Sequence, residues 1–316
     1  MRSRPLDPSG AALYSRGVSR RSPAPSHQSR EVLLESLGLA VVDFRCRAHV
    51  EPEGPEEPNL THSIVFVRRG VFRRVQRRRA LVADANHVLY FNAGEPYRYA
   101  HPLPGGDDCT ILTVETGRAL KLVAHHSPAD AGDAQAPFRR GHALSGPALS
   151  RLHYELLGLL RRPDVDRLRL EDALCELADA AVAAAYPEDP ARRRHSVSSA
   201  AARKTRRDRV EAVTLELNER LEDPPRLAEL AALCGCSPFH LSRAFREVMG
   251  VGLREYSRRL RARAAAERLA RGASDLTRLG LALGYSDHSH FTNSFRREWG
   301  LPPSRFRARL RPNGVG

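Results

Sequence analysis

Lysine is nearly missing from this chain of 316 residues. It occurs only at Lys121 and Lys204, so almost all of the 51 basic side chains are arginine. Tryptophan occurs once, at Trp299, and aromatic residues make up 6%. There is no long hydrophobic run. The most apolar stretch, Ala173–Tyr186, is broken by Glu176 and Asp179 and falls short of the ~20 residues a membrane helix needs, so no membrane partner is expected. The first 30 residues are basic and rich in Ser and Pro, without the ~7–15-residue apolar segment of an export signal, and a cytoplasmic location is expected. The five cysteines, at 46, 109, 175, 234 and 236, are odd in number and scattered, which argues against a disulfide framework. Cys234-Gly-Cys236 is the one close pair, and no second Cys or His pair stands behind it at zinc-site spacing. No metal, cofactor or catalytic set is expected.

What is present is enough apolar residue, 41%, beside 28% charged, to build a packed core, and a length that suits about two domains. The excess charge is unevenly placed. Residues 203–316 hold 23 basic and 13 acidic side chains, a net of +10 out of +14 for the whole chain. A general preference for arginine explains Arg over Lys but not that asymmetry. A segment this basic is the electrostatic footprint of a polyanion partner.

The pattern of the chain changes twice. Residues 1–30 read as a disordered basic tail. From Leu39 to about Val50, Val42, Phe44, Cys46 and Ala48 alternate with charged residues, the period of a half-buried strand. Further short strands are expected at Ser63–Val67, Phe72–Val75, His87–Phe91, Tyr97–His101 and Cys109–Val114, separated by turn residues. Residues 31–146 therefore read as an all-β unit. After Gly146-Pro147 the apolar residues recur at helical spacing, first Leu149, Leu152, Leu156, Leu159 and Leu160, then Leu170, Leu174, Leu177 and Val182. This predicts a helical hairpin over 147–187, either a brace on the β unit or a dimerisation element. Residues 188–207 lack apolar periodicity and read as a linker. Residues 208–312 read as helical throughout, making the whole an α+β chain.

The last hundred residues contain a duplication. Leu227, Leu230, Gly235 and Ser237 recur as Leu276, Leu279, Gly284 and Ser286, and Phe245, Arg246, Gly250 and Tyr256 recur as Phe295, Arg296, Gly300 and Phe306. The offset grows by one residue between Ser286 and Phe295. Each copy has a short Leu-bearing helix, a Gly that allows positive φ, a Ser at the next N-cap and a second helix, opened by Pro238 in the first copy. That is a helix-turn-helix, whose second helix can enter a major groove. On the second helices, Leu241, Phe245 and Val248, and Phe291 and Phe295, are expected to face inward. Phe239, Ser242, Arg243 and Arg246, and Ser289, Thr292, Asn293 and Arg296, are expected to face outward toward DNA, where Arg and Asn pair with guanine and adenine edges. Leu253–Arg271 reads as one connecting helix, with Arg258, Arg259, Arg261 and Arg263 forming a basic surface.

The run Leu227-Ala-Glu-Leu-Ala-Ala-Leu-Cys-Gly-Cys-Ser-Pro-Phe-His-Leu-Ser-Arg-Ala-Phe245, with Gly284-Tyr-Ser-Asp-His-Ser-His-Phe-Thr-Asn-Ser-Phe295 and Gly300-Leu-Pro-Pro-Ser-Arg-Phe306, resembles the double helix-turn-helix domain of the arabinose-regulator (AraC/XylS) family. The resemblance covers about Asp208–Arg311, a third of the chain. Gly280 stands where the family usually has Ala, which is expected to loosen that helix. The resemblance implies a bacterial transcription regulator that binds double-stranded DNA, with RNA polymerase as a partner if it activates. It further implies an N-terminal cupin-like β-barrel that senses a small-molecule effector or makes a homodimer. His62, Phe66, Phe91, Tyr97, Tyr99 and His101 are the candidate effector-binding residues. His62 stands alone, and Asn92-Ala-Gly94-Glu-Pro-Tyr97 has Asn and Tyr in place of a metal cupin's Pro and His. The competing readings are a cupin-type enzyme with a helical appendage and an alkylation-response protein, and neither finds its metal ligands or Cys-rich module in the sequence.

Overall fold

The computed structural model describes residues 28–47, 52–76, 79–186 and 199–310. Of the expected tail, residues 1–27 lie outside that set, while residues 28–30 open a strand. The end of the first expected strand and most of the expected linker also lie outside it.

Ten strands occur among the described residues: β1 (Gln28–Ser36), β2 (Leu39–Cys46), β3 (Glu57–Pro58), β4 (His62–Gly70), β5 (Phe72–Gln76), β6 (Arg79–Ala83), β7 (His87–Phe91), β8 (Pro96–Ala100), β9 (Asp107–Val114) and β10 (His142–Leu144). They form an antiparallel sheet in the order β1-β2-β9-β4-β7-β10 and a second in the order β3-β8-β5-β6. The expected barrel is not closed. Closure needs the hydrogen-bond ladder to continue all round, and here it stops at β1 and β10 and at β3 and β6. β3 and β10, two and three residues long, are too short to bridge the sheets.

Side-chain parity divides the larger sheet cleanly. Leu39 and Val41, Ile64 and Phe66, Val88 and Tyr90, and Leu112 and Val114 point to one face and pack on α1 (Thr116–His126), α2 (Pro147–Leu159) and α3 (Arg167–Ala185). The alternate residues Val65, Val67, Leu89, Phe91 and Cys109 point to the other face, against Phe72 and Ala83 of the smaller sheet. α1 lies inside the segment expected to be all β. Its buried stripe is only Ala119, Leu122 and Val123, too short to stand out between strands.

The expected hairpin is present as α2 and α3. α2 is sandwiched. Leu149 and Leu156 meet the sheet, while Tyr154 and Leu157 meet Trp299, Phe306 and Leu310 near the C-terminus. The remaining helices are α4 (Ala200–Glu219), α5 (Leu227–Leu233), α6 (Pro238–Met249), α7 (Leu253–Ala270), α8 (Leu276–Leu281), α9 (His288–Trp299) and α10 (Pro303–Leu310). α4 corrects the linker expected over 188–207. Ser199 Oγ accepts from the Ala202 amide at 3.2 Å and starts a helix there, so residue 208 falls inside it. The signal was weak because the apolar stripe Val210, Val213, Leu217 begins only three turns after the cap.

Candidate nucleic-acid interface and cavity

The two helix-turn-helix units share their backbone logic. Gly235 (φ 57°) and Gly284 (φ 70°) make the turns, and Gly250 (φ 73°) and Gly300 (φ 74°) end the second helices in the left-handed region. Ser237 caps α6, its Oγ accepting from the His240 amide at 3.3 Å. In the second unit the cap is Asp287, not the expected Ser286: its Oδ1 accepts from the His290 amide at 2.7 Å. The extra residue of the second copy therefore sits in the turn between Gly284 and Asp287. There Ser286 Oγ donates to Asp287 Oδ2 at 2.9 Å.

Phe239 is 71% exposed, Arg243 and Arg246 are exposed, and Ser242 is half-buried. On α9, Ser289, Asn293 and Arg296 are exposed and Thr292 is half-buried. The inward faces are Leu241, Ala244 and Phe245, and Phe291, Phe295 and Trp299. Val248, expected inward, is exposed, and Ala244 takes its place. Arg243 Nε donates to Glu247 Oε1 at 2.9 Å one turn along, and Glu247 also accepts from Arg206 at 3.1 Å.

The basic surface expected on α7 is mostly spent inside the protein. Arg258 pairs with the buried Glu298 at 3.2 Å, Arg259 with Glu255 at 2.5 Å, and Arg261 lies 4.7 Å over the Tyr285 ring. Arg263 is fully buried. Helix periodicity marks which residues share a face but not which other domain that face meets. Gly280 also reads differently in place. It is buried, and a Cβ on it would lie 2.9 Å from Phe291 Cβ and 3.0 Å from Cγ. The glycine is a close-approach residue rather than a loosening one.

Arg263 belongs to a polar junction between the two halves. Its guanidinium donates to Asn86 Oδ1 (2.7 Å), the Ala85 carbonyl (3.1 Å), Glu298 Oε1 (3.2 Å) and the Ser145 carbonyl. Beside it, the wholly buried Asp84 accepts from Tyr256 Oη (2.8 Å), Asn218 Nδ2 (2.9 Å) and the Asn86 amide (2.9 Å), and faces His87 Nδ1 at 3.0 Å. Burial opposes the Asp84 charge, but the bonds from His87, Asn218 and Asn86 prevail and hold its carboxyl below the usual range. Asp108, also fully buried, takes Arg47 (2.5 Å), Arg69 (3.1 Å) and Arg271, the residue that ends α7.

A cavity of about 320 Å³ opens between the sheets. β2 and β9 contribute Phe44, Cys46, Asp107, Cys109 and Ile111, and β8 contributes Tyr97 and Tyr99. Of the six expected lining residues, Phe91, Tyr97, Tyr99 and His101 reach it. His62 and Phe66 do not. They sit at even positions of β4, whose cavity side carries Ser63 and Val65, and so point to the helices. There His62 Nδ1 accepts from the Ala93 amide at 3.1 Å and Phe66 stacks on His153 at 4.5 Å. His101 Nε2 meets Asp107 Oδ1 at 2.8 Å, and Cys109 Sγ donates to Asp107 Oδ2 at 3.1 Å. Burial disfavours the imidazolium, but the bonds to Asp107 and Cys46 outweigh it and carry the His101 pKa up to about 9. Burial pushes the Cys109 thiol up. Cys46, Asp107 and Cys109 line the cavity without having been expected there. Asp107 and Cys109, spaced i, i+2, share one face of β9, but nothing local says that β2 lies beside β9.

Among the described residues no helix is long and apolar enough to cross a membrane. Residues 230–309 match the family described as a helix-turn-helix domain. Over 98 residues the chain is 34% identical to the HTH-type transcriptional regulator GlxA of Rhizobium meliloti, covering 31% of this chain and 30% of GlxA. Over 94 residues it is 33% identical to the regulatory protein SoxS of Salmonella typhimurium, covering 30% of this chain and 88% of SoxS. A solved transcriptional regulator from Chromobacterium violaceum, described by its AraC-type DNA-binding domain, is 24% identical and covers 37% of this chain and 100% of that one, with a TM-score of 0.31. The chain thus spans less than a third of GlxA and most of SoxS.

Proposed function

The chain belongs to the AraC family of helix-turn-helix regulators, and on that premise we propose that it controls transcription by reading duplex DNA with α6 and α9 and by answering to a small molecule in the cavity. The observation that carries the reading is the matched pair of capped helices, each with a buried aromatic face and an exposed polar one. Two such helices on one connector, α7, address successive major-groove segments on one side of the duplex, ~10 base pairs apart. Arg243 and Arg246 suit guanine edges, Asn293 an adenine edge, and Phe239 a thymine methyl. Ser242, Ser289, Thr292 and Arg296 complete the two contact sets. For Arg243 this means leaving Glu247 for a base.

Responsiveness is supported by β9. Asp107 lines the cavity, and its neighbour Asp108 holds Arg271 at the end of α7. Four of the proposed effector contacts, Phe91, Tyr97, Tyr99 and His101, share that cavity. The test is selection of bound genomic fragments, followed by binding of Arg243→Ala and Asn293→Ala to the selected operator and to scrambled DNA. Each variant should lose ~1–3 kcal/mol on the operator and relax preference at its own few base pairs, the two clusters one helical turn apart. Equal loss on all sequences would place both residues among phosphate contacts and refute the base-reading assignment.

A further inference from the structure

The geometry points to a metal site on the cavity wall: Cys46, His101 and Asp107 hold one thiophilic divalent cation of the Zn2+ class, with a coordination position left open to the cavity. The three residues are 1%, 2% and 3% exposed, and one donor atom from each, thiol sulfur, imidazole nitrogen and carboxylate oxygen, lies within 4.8 Å of the others. Tetrahedral coordination at ~2.0–2.3 Å puts donors about 3.3–3.8 Å apart, so small side-chain rotations close the site. The backbone fixes two of the three. Cys46 lies one register step beyond the Arg45–Asp108 pair of β2 and β9, which sets it opposite Asp107 on the same sheet face.

Two further observations bear on the site. His101 faces Asp107 through Nε2, the nitrogen that would turn to the metal, and among the described residues its Nδ1 is buried without a hydrogen-bond partner, so the ring is not pinned at both ends against the small rotation the site needs. The second thiol, Cys109, already donates to the other oxygen of Asp107 and so orients that carboxylate from behind. A set of one sulfur, one nitrogen and one oxygen suits Zn2+ or Co2+ rather than Mg2+ or Ca2+, which want oxygen alone. Three protein ligands beside an open cavity leave the fourth position for water or for a small molecule. On binding, the Cys46 thiol proton and the proton the imidazole shares with Asp107 pass to solvent. A second His and Asp cluster, His125, His126 and Asp179, lies at the surface and serves as the internal control.

Metal binding and DNA recognition are read separately, so this assignment does not stand or fall with the operator experiment. Full-length protein, reduced and stripped with a chelator, is titrated with Co2+. The expected result is one Co2+ per chain, with the visible bands of tetrahedral Co2+ and a near-ultraviolet thiolate-to-metal band, both erased by Zn2+. Cys46→Ser should abolish the thiolate band, and His101→Gln or Asp107→Asn should weaken binding about tenfold or more. His126→Gln should leave the titration unchanged. Should the cavity variants fail to fold by circular dichroism, alkylation of the wild-type chain decides: Zn2+ should shield Cys46 and leave Cys175 reactive. A thiolate band that survives Cys46→Ser, loss of binding in His126→Gln, or alkylation of Cys46 unaffected by Zn2+ would overturn the site, as would the absence of any stoichiometric Co2+ spectrum.

Discussion

Gly280→Ala sets two magnitudes against each other. In a helix interior, alanine is favoured over glycine by ~1 kcal/mol, and α8 is only six residues long, so propensity alone predicts a gain. The structure predicts a loss. The added methyl would sit 2.9, 3.0 and 3.2 Å from Phe291 Cβ, Cγ and Cδ1. Those atoms are the root of a fully buried ring, held between Tyr285 (5.3 Å) and Phe295 (5.8 Å), and cannot swing aside as the tip of an exposed side chain would. Overpacking of this kind costs ~1–3 kcal/mol, and a contact this short belongs in the upper part of that range. The net expectation is a loss of about 1–2 kcal/mol. Urea unfolding of the full-length variant, followed by circular dichroism, measures it as a lower midpoint at unchanged slope. Operator affinity should fall as well, because α9 carries both Phe291 and the exposed Asn293. Phe291→Ala removes Cγ and Cδ1, two of the three atoms the methyl meets, so its loss and that of Gly280→Ala should be less than additive in the double variant. A Gly280→Ala midpoint equal to or above wild type would refute the close-approach argument and restore propensity as the governing term.

The junction between the halves gives two more expectations. Arg263→Ala removes the donor to Asn86, Ser145 and Ala85 and leaves Glu298 buried with Arg258 as its remaining partner; a loss of ~3–5 kcal/mol is expected, read by urea unfolding and by new proteolytic cleavage between the β half and α7. Asp84 should set part of the acid limb of stability. Its folded carboxyl titrates below the unfolded value, so its contribution is fully present above ~4 and is lost as pH falls through the folded value. His87, Tyr256, Asn218 and the Asn86 amide face it, with Arg263 nearby. Asp84→Asn should flatten the difference in stability between pH 5 and pH 3, and an acid limb identical to wild type would remove Asp84 from that role.

Much of the DNA-binding half was legible because its code is local. Turn glycines, a Ser cap, Pro238 and a 3.6-residue stripe all act within one or two turns, and they located α5 to α9. The outward faces of α6 and α9 follow from the same wheel, with Ser242 and Thr292 half-buried at their edges. What escaped was set by distant parts of the chain. Ser237 and Ser286 align in sequence, but the residue that closes the second turn is Asp287, because the inserted residue lies before the cap and not after it. Arg263 looks like its neighbours on the wheel, yet the β half covers it. In the β half, alternation found most strands but not which of them pair. Residue type groups His62 and Phe66 with Tyr97 and Tyr99, whereas parity on β4 sends them to the opposite face. Cys46 and Asp107 are 61 positions apart, and only the β2–β9 ladder brings them together.

That ladder also explains why cavity and DNA half need not be treated as separate machines. Consecutive residues of a strand point to opposite faces, so Asp107 and Asp108 share one backbone while serving two sites. Asp107 takes His101 and Cys109 on the cavity side, and Asp108 takes Arg47, Arg69 and Arg271 on the other. On the proposed reading, a ligand that pulls on Asp107 acts on the peptide that aims Asp108. The helical half that supplies Arg271 also meets the β half through the directional bonds of Arg263 and Asp84, and such a set does not stretch smoothly: a bond is made or lost. Coupling then requires only that the ligand bind one arrangement of β9 better than the other, since a ligand with equal affinity for both shifts nothing.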